Sequence, residues 1–389
     1  MRILIDGTCL CDSEGRSGAG IEHYTWSIVR QLFLSAPKHE FVVYVPPSLN
    51  AVGLRSLVEG CSNVSIMKSL GPHISFVTRH IILPIRFFLA RPDVMFFPTG
   101  QMPLFTIGKA VVTIHDLAIY DHPEWFPEGQ NFSTKTVVPK SIEKASKIIA
   151  VSAATKQRVE ELFPDSVSKV QVIHEGVDAP KEMLDAMDMD STRFPFDRDY
   201  ILYLGTIEPR KNLTQAFRAF HKFLEGRPEL AQTYRFMVAG KRGWKTKEIE
   251  NELVRVNHAW KEIEPNGVIQ FLGPVTEEEK WNLMARASCL VFPSLYEGFG
   301  LPVLEAMSVG TPVITTRCGA LPEVAGDAAL FVKPDDVEQM SLAITQCLLV
   351  PQGAKQMRID GFKRAGEFTW ERTAKETLKV LEEVRKRSS

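Results

Sequence analysis

The chain has 389 residues, of which 44% are apolar and 24% charged, and its formal net charge is −1. That length exceeds what one ordinary hydrophobic core fills, so two domains are expected. The near-neutral balance argues against nucleic acid as a bulk electrostatic partner, and no segment offers the roughly 20 consecutive apolar residues that a membrane span needs.

Met1-Arg-Ile-Leu-Ile-Asp6 opens the chain as a strand, without the long apolar run of an export signal, so the expected location is cytoplasmic. Cys9, Cys11, Cys61, Cys289, Cys318 and Cys347 show no zinc spacing and read as free thiols in a reducing compartment. The first strand runs into a loop holding Gly15, Gly18 and Gly20. Gly18-Ala-Gly20 lacks the third glycine of a dinucleotide fingerprint and reads instead as a flexible loop facing a cleft. Residues 21–34 follow as a helix with Ile21, Tyr24, Ile28 and Leu32 on one stripe. Residues 41–45 form a second strand, and residues 50–72 show no clear period.

Residues 78–89 are the most apolar stretch, broken by Arg79, His80, Pro84 and Arg86. Two readings stand: a core helix with exposed arginines, the commoner case, or an interfacial patch whose cations attract anionic lipid. Residues 93–97 are a strand running into Pro98-Thr-Gly-Gln-Met-Pro103. A buried strand from residue 110 ends in His115-Asp116, where open α/β sheets place ligand-contacting residues. Such a pair also serves simply to cap the next turn. Trp125 and Phe126, between two prolines, either stack on a sugar or pack within their own loop. Ser152 is placed to cap the helix over 153–162. A strand over 169–173 leads to His174-Glu-Gly-Val-Asp178, and the pattern then dissolves into a linker over 179–199.

The second half opens with a strand over 200–204 and the loop Gly205-Thr-Ile-Glu-Pro-Arg-Lys-Asn212. Asn212 is placed to cap the helix carrying Leu213, Phe217, Phe220 and Leu224. Arg210 and Lys211 then stand before a helix N-terminus, unfavourable for cations unless an anion lies between them. Strands over 234–239 and 268–272 lead into Gly240-Lys-Arg-Gly-Trp244 and Gly273-Pro-Val-Thr276, and Thr276 with Glu279 makes a capping box. A strand over 288–291, a helix over 301–309 and a strand over 313–316 form a parallel unit. Pro302 suits the first helical turn and Gly310 the left-handed stop. Between strand and helix, Gly298-Phe-Gly300 lets backbone N–H groups approach a ligand at the positive helix end, an anion site whose commonest occupant is diphosphate. Glu297 and Glu305 flank it. Carboxylates repel phosphate, so hydroxyls are their expected partners, although Glu305 alone would read as a complement to the helix dipole.

With seven residues between them around Gly-Phe-Gly-Leu-Pro, Glu297 and Glu305 resemble the paired-glutamate motif of the retaining glycosyltransferases of family 4. The loop from Gly205 to Asn212 is similar to the family's cation-bearing motif, with Thr206 where many members have Arg. Gly319-Ala-Leu-Pro-Glu323 and Phe368-Thr-Trp-Glu371 follow in the family's order, so the likeness covers essentially the whole chain. It implies an α/β GT-B architecture, two Rossmann-like parallel-sheet lobes facing a central cleft. The acceptor-side lobe would span 1–178, the linker 179–199 and the nucleotide-sugar lobe 200–366, with a helix over 367–389 crossing back.

The resemblance also assigns roles. His115, Lys211 and Glu297 form the catalytic set, with His115 beside the donor sugar and Glu297 on its hydroxyls. Lys211, Arg210, Gly205 and Thr206 meet the diphosphate with Gly298, Phe299, Gly300 and Leu301. Glu305 takes the ribose, Gly273 and Val275 the base, and Gly18 and Gly20 lie near donor phosphate and acceptor. Asp-x-Asp occurs only in the linker, at Asp188-Met-Asp190 and Asp197-Arg-Asp199, and the basic loop stands in for a metal, so no metal or other cofactor is expected. The combination of Gly205-Thr-Ile-Glu-Pro-Arg-Lys-Asn212 with Gly240-Lys-Arg-Gly-Trp244 resembles bacterial mannosyltransferases of surface polysaccharide assembly. That implies GDP-mannose as donor, a glycan or lipid-linked acceptor, and peripheral contact with the inner face of the cytoplasmic membrane. Alternatives are another enzyme of this fold, a nucleotide-sugar epimerase or a glucan phosphorylase, or a two-lobed sugar-binding protein.

Overall fold

A computed structural model describes residues 1–10, 20–46, 49–69, 76–179 and 199–386. The chain forms two all-parallel sheets. The first contains β1 (Arg2–Asp6), β2 (Glu40–Val45), β3 (Val64–Lys68), β4 (Val94–Phe97), β5 (Ala110–Ile114), β6 (Lys147–Ala150) and β7 (Val170–Val172), in the order β3-β2-β1-β4-β5-β6-β7. The second contains β8 (Asp199–Leu204), β9 (Tyr234–Ala239), β10 (Ile269–Gly273), β11 (Cys289–Phe292), β12 (Val313–Thr316) and β13 (Leu330–Val332), in the order β10-β9-β8-β11-β12-β13.

The strands are short, nearly continuous apolar runs, as in Glu-Phe-Val-Val-Tyr-Val of β2, because helices cover both faces of a parallel sheet. Alternation still sorts the faces. Ile3 and Ile5 pack with Phe41, Val43 and Tyr24 on one side, while Leu4 joins Val42, Tyr44 and Phe87 on the other. In each lobe the strand order reverses about the first strand, at β1/β4 and at β8/β11. Crevices outside the carboxyl ends of strands at such reversals are where open α/β sheets receive ligands.

The Gly20–Ser35 helix buries Tyr24, Ile28, Val29, Leu32 and Phe33. Ile21, expected on that stripe, is exposed because the first helical turn lines the cleft. The unassigned 50–72 region holds the Ala51–Val58 helix, capped by Asn50, and the edge strand β3. The core-helix reading of residues 78–89 is corrected. A π-helical turn, Thr78–Ile82, passes into the Leu83–Leu89 helix, which buries only Leu83, Pro84 and Phe87. Phe76, Val77, Ile81, Ile82, Ile85, Phe88 and Leu89 remain exposed. Gly18, Cys11 and residues 180–198 of the expected linker lie outside the described residues.

The Trp370–Lys386 helix buries Trp370, Thr373, Ala374, Thr377, Val380, Leu381 and Val384, a spacing that keeps one stripe inward. That stripe packs on the Gly20–Ser35 helix of the first lobe, and the Trp370 ring lies 5.8 Å from Tyr24. The helix start is fixed by the segment after β7: Val177 N–H donates to the Phe368 carbonyl at 3.1 Å. A Cβ on Gly176 would fall 2.2 Å from the Trp370 nitrogen. Gly176→Ala is therefore expected to cost about 1–3 kcal/mol in urea unfolding, as overpacking does. An unchanged midpoint would show that the crossing helix yields freely at this point.

Candidate active site

Three backbone turns at the ends of β8, β9 and β10 make the floor of the second-lobe crevice. Gly205 N–H donates to the Ala239 carbonyl at 3.0 Å, and Gly240 N–H to the Gly273 carbonyl at 2.8 Å. Gly240 has φ of +143°, and a Cβ there would lie 1.9 Å from the Gly205 oxygen, so only glycine fits. Thr206 turns its carbonyl to the Tyr203 hydroxyl, 2.9 Å away. Val275 is buried beside Gly273.

The charged centre comes from the loops after β8 and β11. Asn212 does not cap its helix, contrary to the sequence expectation. It adopts a left-handed conformation (φ 58°) without a side-chain cap bond, and its Nδ2 donates to the carbonyls of Pro293 at 3.2 Å and Pro334 at 2.7 Å. This fastens the cationic loop to the end of β11. Lys211 Nζ then donates to Glu297 Oε1 at 2.5 Å. Arg210 donates through Nη1 to the Tyr296 carbonyl at 3.0 Å and through Nη2 to Glu208 Oε1 at 2.8 Å, with Glu297 Oε2 3.4 Å away. The anion required before this helix N-terminus is thus supplied, in part, by Glu297 itself. Burial raises the Glu297 carboxyl, but Lys211 and Arg210 outweigh it and hold the group below the usual carboxylate range. Burial, then the like charge of Arg210, hold the Lys211 ammonium below its ordinary value. The pair is ionised, since neutralising Lys211 would leave Glu208 and Glu297 facing one guanidinium.

The Leu301–Ser308 helix starts at Gly300, which has φ of +108°, and carries Pro302 in its first turn. Just before it, a Cβ on Gly298 would lie 1.9 Å from the His115 carbonyl oxygen. The Thr155 hydroxyl sits between that carbonyl, at 3.1 Å, and the Gly298 carbonyl, at 3.2 Å. The two lobes are therefore in contact at the floor of the cleft. Leu301 is buried and lines the cleft. The Phe299 ring packs near His174 and Phe368, with centroids 6.1 and 6.0 Å away. One turn into the helix, Glu305 Oε1 accepts from Lys280 Nζ at 2.6 Å, and Lys280 also reaches Glu277 at 2.7 Å. Burial raises the Glu305 carboxyl, but Lys280 outweighs it and holds the group low. Lys280 was not anticipated from the sequence. Its signal was the Thr276–Glu279 capping box, present as expected, which sets the first turn of the Glu277–Arg286 helix at the crevice.

On the first-lobe side, His115 Nε2 donates to the Pro98 carbonyl at 2.7 Å, and Nδ1 lies 3.1 Å from Glu175 Oε1. Both ring nitrogens are engaged, so the ring is a fixed wall of the cleft. Buried Glu175 was also missed, because its partner is 60 residues away. Asp116 accepts from Ala118 N–H at 3.2 Å, the local capping role. Trp125 stacks on His122 at 3.8 Å, and its carbonyl accepts from Trp244 Nε1 at 2.6 Å. The aromatic loop thus bridges the lobes. At another contact between lobes, Glu323 accepts from Ala153 N–H at 2.8 Å and lies 2.6 Å from His174 Nε2.

His115, Gly205, Lys211, Val275, Glu297 and Glu305 line a cavity of about 390 Å³ together with Gly20, whereas Gly273 is not among its lining residues. Its lining holds four Lys and Arg side chains against six carboxylates, so an anion must be held by local alignment and not by a broadly positive field. Because Glu297 and Glu305 are held below the ordinary value of 4.5, their ionised forms stabilise the fold above that pH. The contribution is lost as pH falls through the lowered values. In urea titrations at about pH 6 and pH 3, Glu305→Gln should lose less stability on acidification than the parent chain. An equal loss in both would remove the Glu305–Lys280 pair from the acid transition.

The model of the family described as Glycosyl transferases group 1 matches residues 187–364, and that described as Glycosyltransferase Family 4 matches residues 18–180. The O-antigen chain mannosyltransferase B of Escherichia coli is 31% identical over 278 residues, which is 70% of each chain. Sucrose-phosphate synthase from Thermosynechococcus elongatus superposes with a TM-score of 0.73 at 18% identity, over 99% of both chains. Anabaena HepE in complex with UDP and glucose gives 0.70 at 16% identity, over 98% of this chain and 99% of that one. With two parallel-sheet lobes, ordered motifs and a relative this close, the chain belongs to glycosyltransferase family 4 and is a glycosyltransferase of the GT-B fold.

Proposed function

We propose that the chain transfers mannose from GDP-mannose to a hydroxyl of a glycan or lipid-linked acceptor, with retention of configuration and without a metal. The observation that carries this reading is the Lys211–Glu297 contact of 2.5 Å beside the Gly298–Phe299–Gly300 turn and the helix start. A diphosphate entering that turn draws the Lys211 ammonium to itself, and the released Glu297 carboxylate accepts from hydroxyls of the donor sugar. The base lies against the backbone of Gly273 and Val275, and Glu305, oriented by Lys280, accepts from the ribose. Gly205 and Thr206 border the phosphates, and Gly20 faces them from the first lobe.

As the bond from the anomeric carbon to the diphosphate oxygen breaks, negative charge grows on the leaving group. Lys211, Arg210, the amides of the turn and the helix end stabilise that charge. The acceptor oxygen bonds to the same face of the sugar while its proton passes to the departing phosphate oxygen. No pair of carboxylates spaced as in a glycosidase is needed. His115, held by Pro98 and Glu175, positions the sugar. Mannose is favoured by the similarity to an O-antigen mannosyltransferase. The exposed apolar residues of 76–89, interspersed with Arg79 and Arg86, support work at the inner face of the cytoplasmic membrane.

Glu297→Gln should lower kcat on the order of 100-fold while changing GDP affinity little, whereas Lys211→Ala should weaken GDP binding at least tenfold. Equal losses of both quantities in Glu297→Gln would end its sugar-holding role. In thermal-shift titrations GDP-mannose should stabilise the chain more than UDP-, ADP- or dTDP-sugars. Transfer should persist in EDTA and give the α-anomer from an α-donor by NMR. A strict divalent requirement, or release of product only with inorganic phosphate, would replace this reading with another chemistry.

A further inference from the structure

The His115 ring stands between two acceptors. The Pro98 carbonyl, 2.7 Å from Nε2, can only accept, so Nε2 carries a hydrogen. On the other side Nδ1 lies 3.1 Å from Glu175 Oε1. Neutral imidazole has a single N–H. With that hydrogen on Nε2, a lone pair at Nδ1 would face the carboxylate. Glu175 is buried, and no other described residue gives its side chain a hydrogen bond or ion pair. A buried carboxylate set against a lone pair is costly, so a proton lies between the two. Imidazole is ordinarily the stronger base, which places it on Nδ1.

The ionisable groups around the pair are engaged elsewhere. Tyr24, edge-on to the ring at 4.6 Å, turns its hydroxyl to Thr113 at 3.1 Å, and burial keeps the phenol neutral. His23 on the same helix faces Glu277. Asp116 accepts from Ala118 N–H, and His174 meets Glu323. Across the cleft Glu297 meets Lys211, and Arg210 meets Glu208. His115 and Glu175 both line the cleft cavity, whereas Pro98 does not. The ring is thus anchored from behind through Nε2, and its Glu175 side meets the ligand.

We infer that Glu175 determines specificity for the transferred sugar, by sharing one proton with His115 so that the pair offers a hydrogen and a carboxylate oxygen side by side. The matching ligand group both accepts and donates, which selects a hydroxyl over an ether oxygen or a phosphate. That hydroxyl takes the Nδ1 hydrogen and gives its own to Glu175. As pH rises and the shared proton leaves, the ring keeps its Nε2 hydrogen on Pro98, and the hydroxyl meets two acceptors and no donor. The hold on the sugar is therefore present at lower pH and lost at higher pH. The inference rests on the reading of this cavity as the donor site.

Calorimetric titration with GDP and GDP-mannose separates the sugar from the nucleotide. Glu175→Ala should lower GDP-mannose affinity severalfold and leave GDP affinity unchanged. In Glu175→Gln an amide N–H replaces the shared proton at Nδ1 and the amide oxygen still accepts, so this variant should bind as the parent does near pH 7. From about pH 7 to about pH 9, the ratio of GDP-mannose to GDP affinity should fall in the parent and stay level in Glu175→Gln. Ionisation of GDP itself is common to both chains and cancels. With histidine labelled by 15N, NMR of the parent at about pH 7 should find hydrogen on both His115 nitrogens. Equal affinity ratios in parent and Glu175→Ala, or a bare Nδ1 in the parent, overturn the inference, and the NMR result decides even where a variant does not fold. A parent chain that binds neither nucleotide overturns the donor-site reading instead.

Discussion

The site is organised around a buried ion pair that is complete before any substrate arrives. Taking an ammonium and a carboxylate out of water costs several kcal/mol for each ion, and Lys211 and Glu297 offset that cost by bonding each other. Each therefore holds the other in ionised form inside the cleft. In the proposed function a ligand with an anionic group and hydroxyls substitutes for both partners at once, so the desolvation has already been met when it enters. This is preorganisation in the electrostatic sense, with charges set in place by the fold and not recruited by the substrate. Glu305 and Lys280 repeat the device one helical turn away.

Backbone geometry makes the arrangement possible. Gly240 and Gly298 bring chain segments into contacts that a Cβ would block, and left-handed Asn212 ties the cationic loop to β11 and to the chain beyond β13. The helix that follows Gly300 then has its amino end directed at the junction between lobes. Charge alone would not select a phosphate in this cleft, where carboxylates outnumber cations. In the proposed function direction does.

The parts legible in the sequence were those whose physics is local. Buried parallel strands announce themselves as short apolar runs, and the Ser152 cap and the Thr276–Glu279 box are set by residues three apart. The glutamate-bearing turn was readable because glycine, proline and carboxylate fall at fixed offsets along a strand–helix–strand unit. What escaped was non-local. Lys280 meets Glu305 across 25 positions and Glu175 meets His115 across 60. Asn212 has the composition of a cap, but its side chain was claimed by two carbonyls far along the chain. The apolar residues of 78–89 were weighed as core because hydropathy does not say which face has a neighbour. A π-helical turn at its start shifts the register and presents most of them outward.

The lobes are fastened at separate places around the cleft, by Trp244 on the Trp125 carbonyl and by Glu323 on Ala153 and His174. Each fastening joins one half of the molecule to the other, and the cavity lies between the halves. In the proposed reaction, a nucleotide product held between the halves leaves once these clasps open. In that reaction their strength bears on the rate of release, separately from the bond-making step.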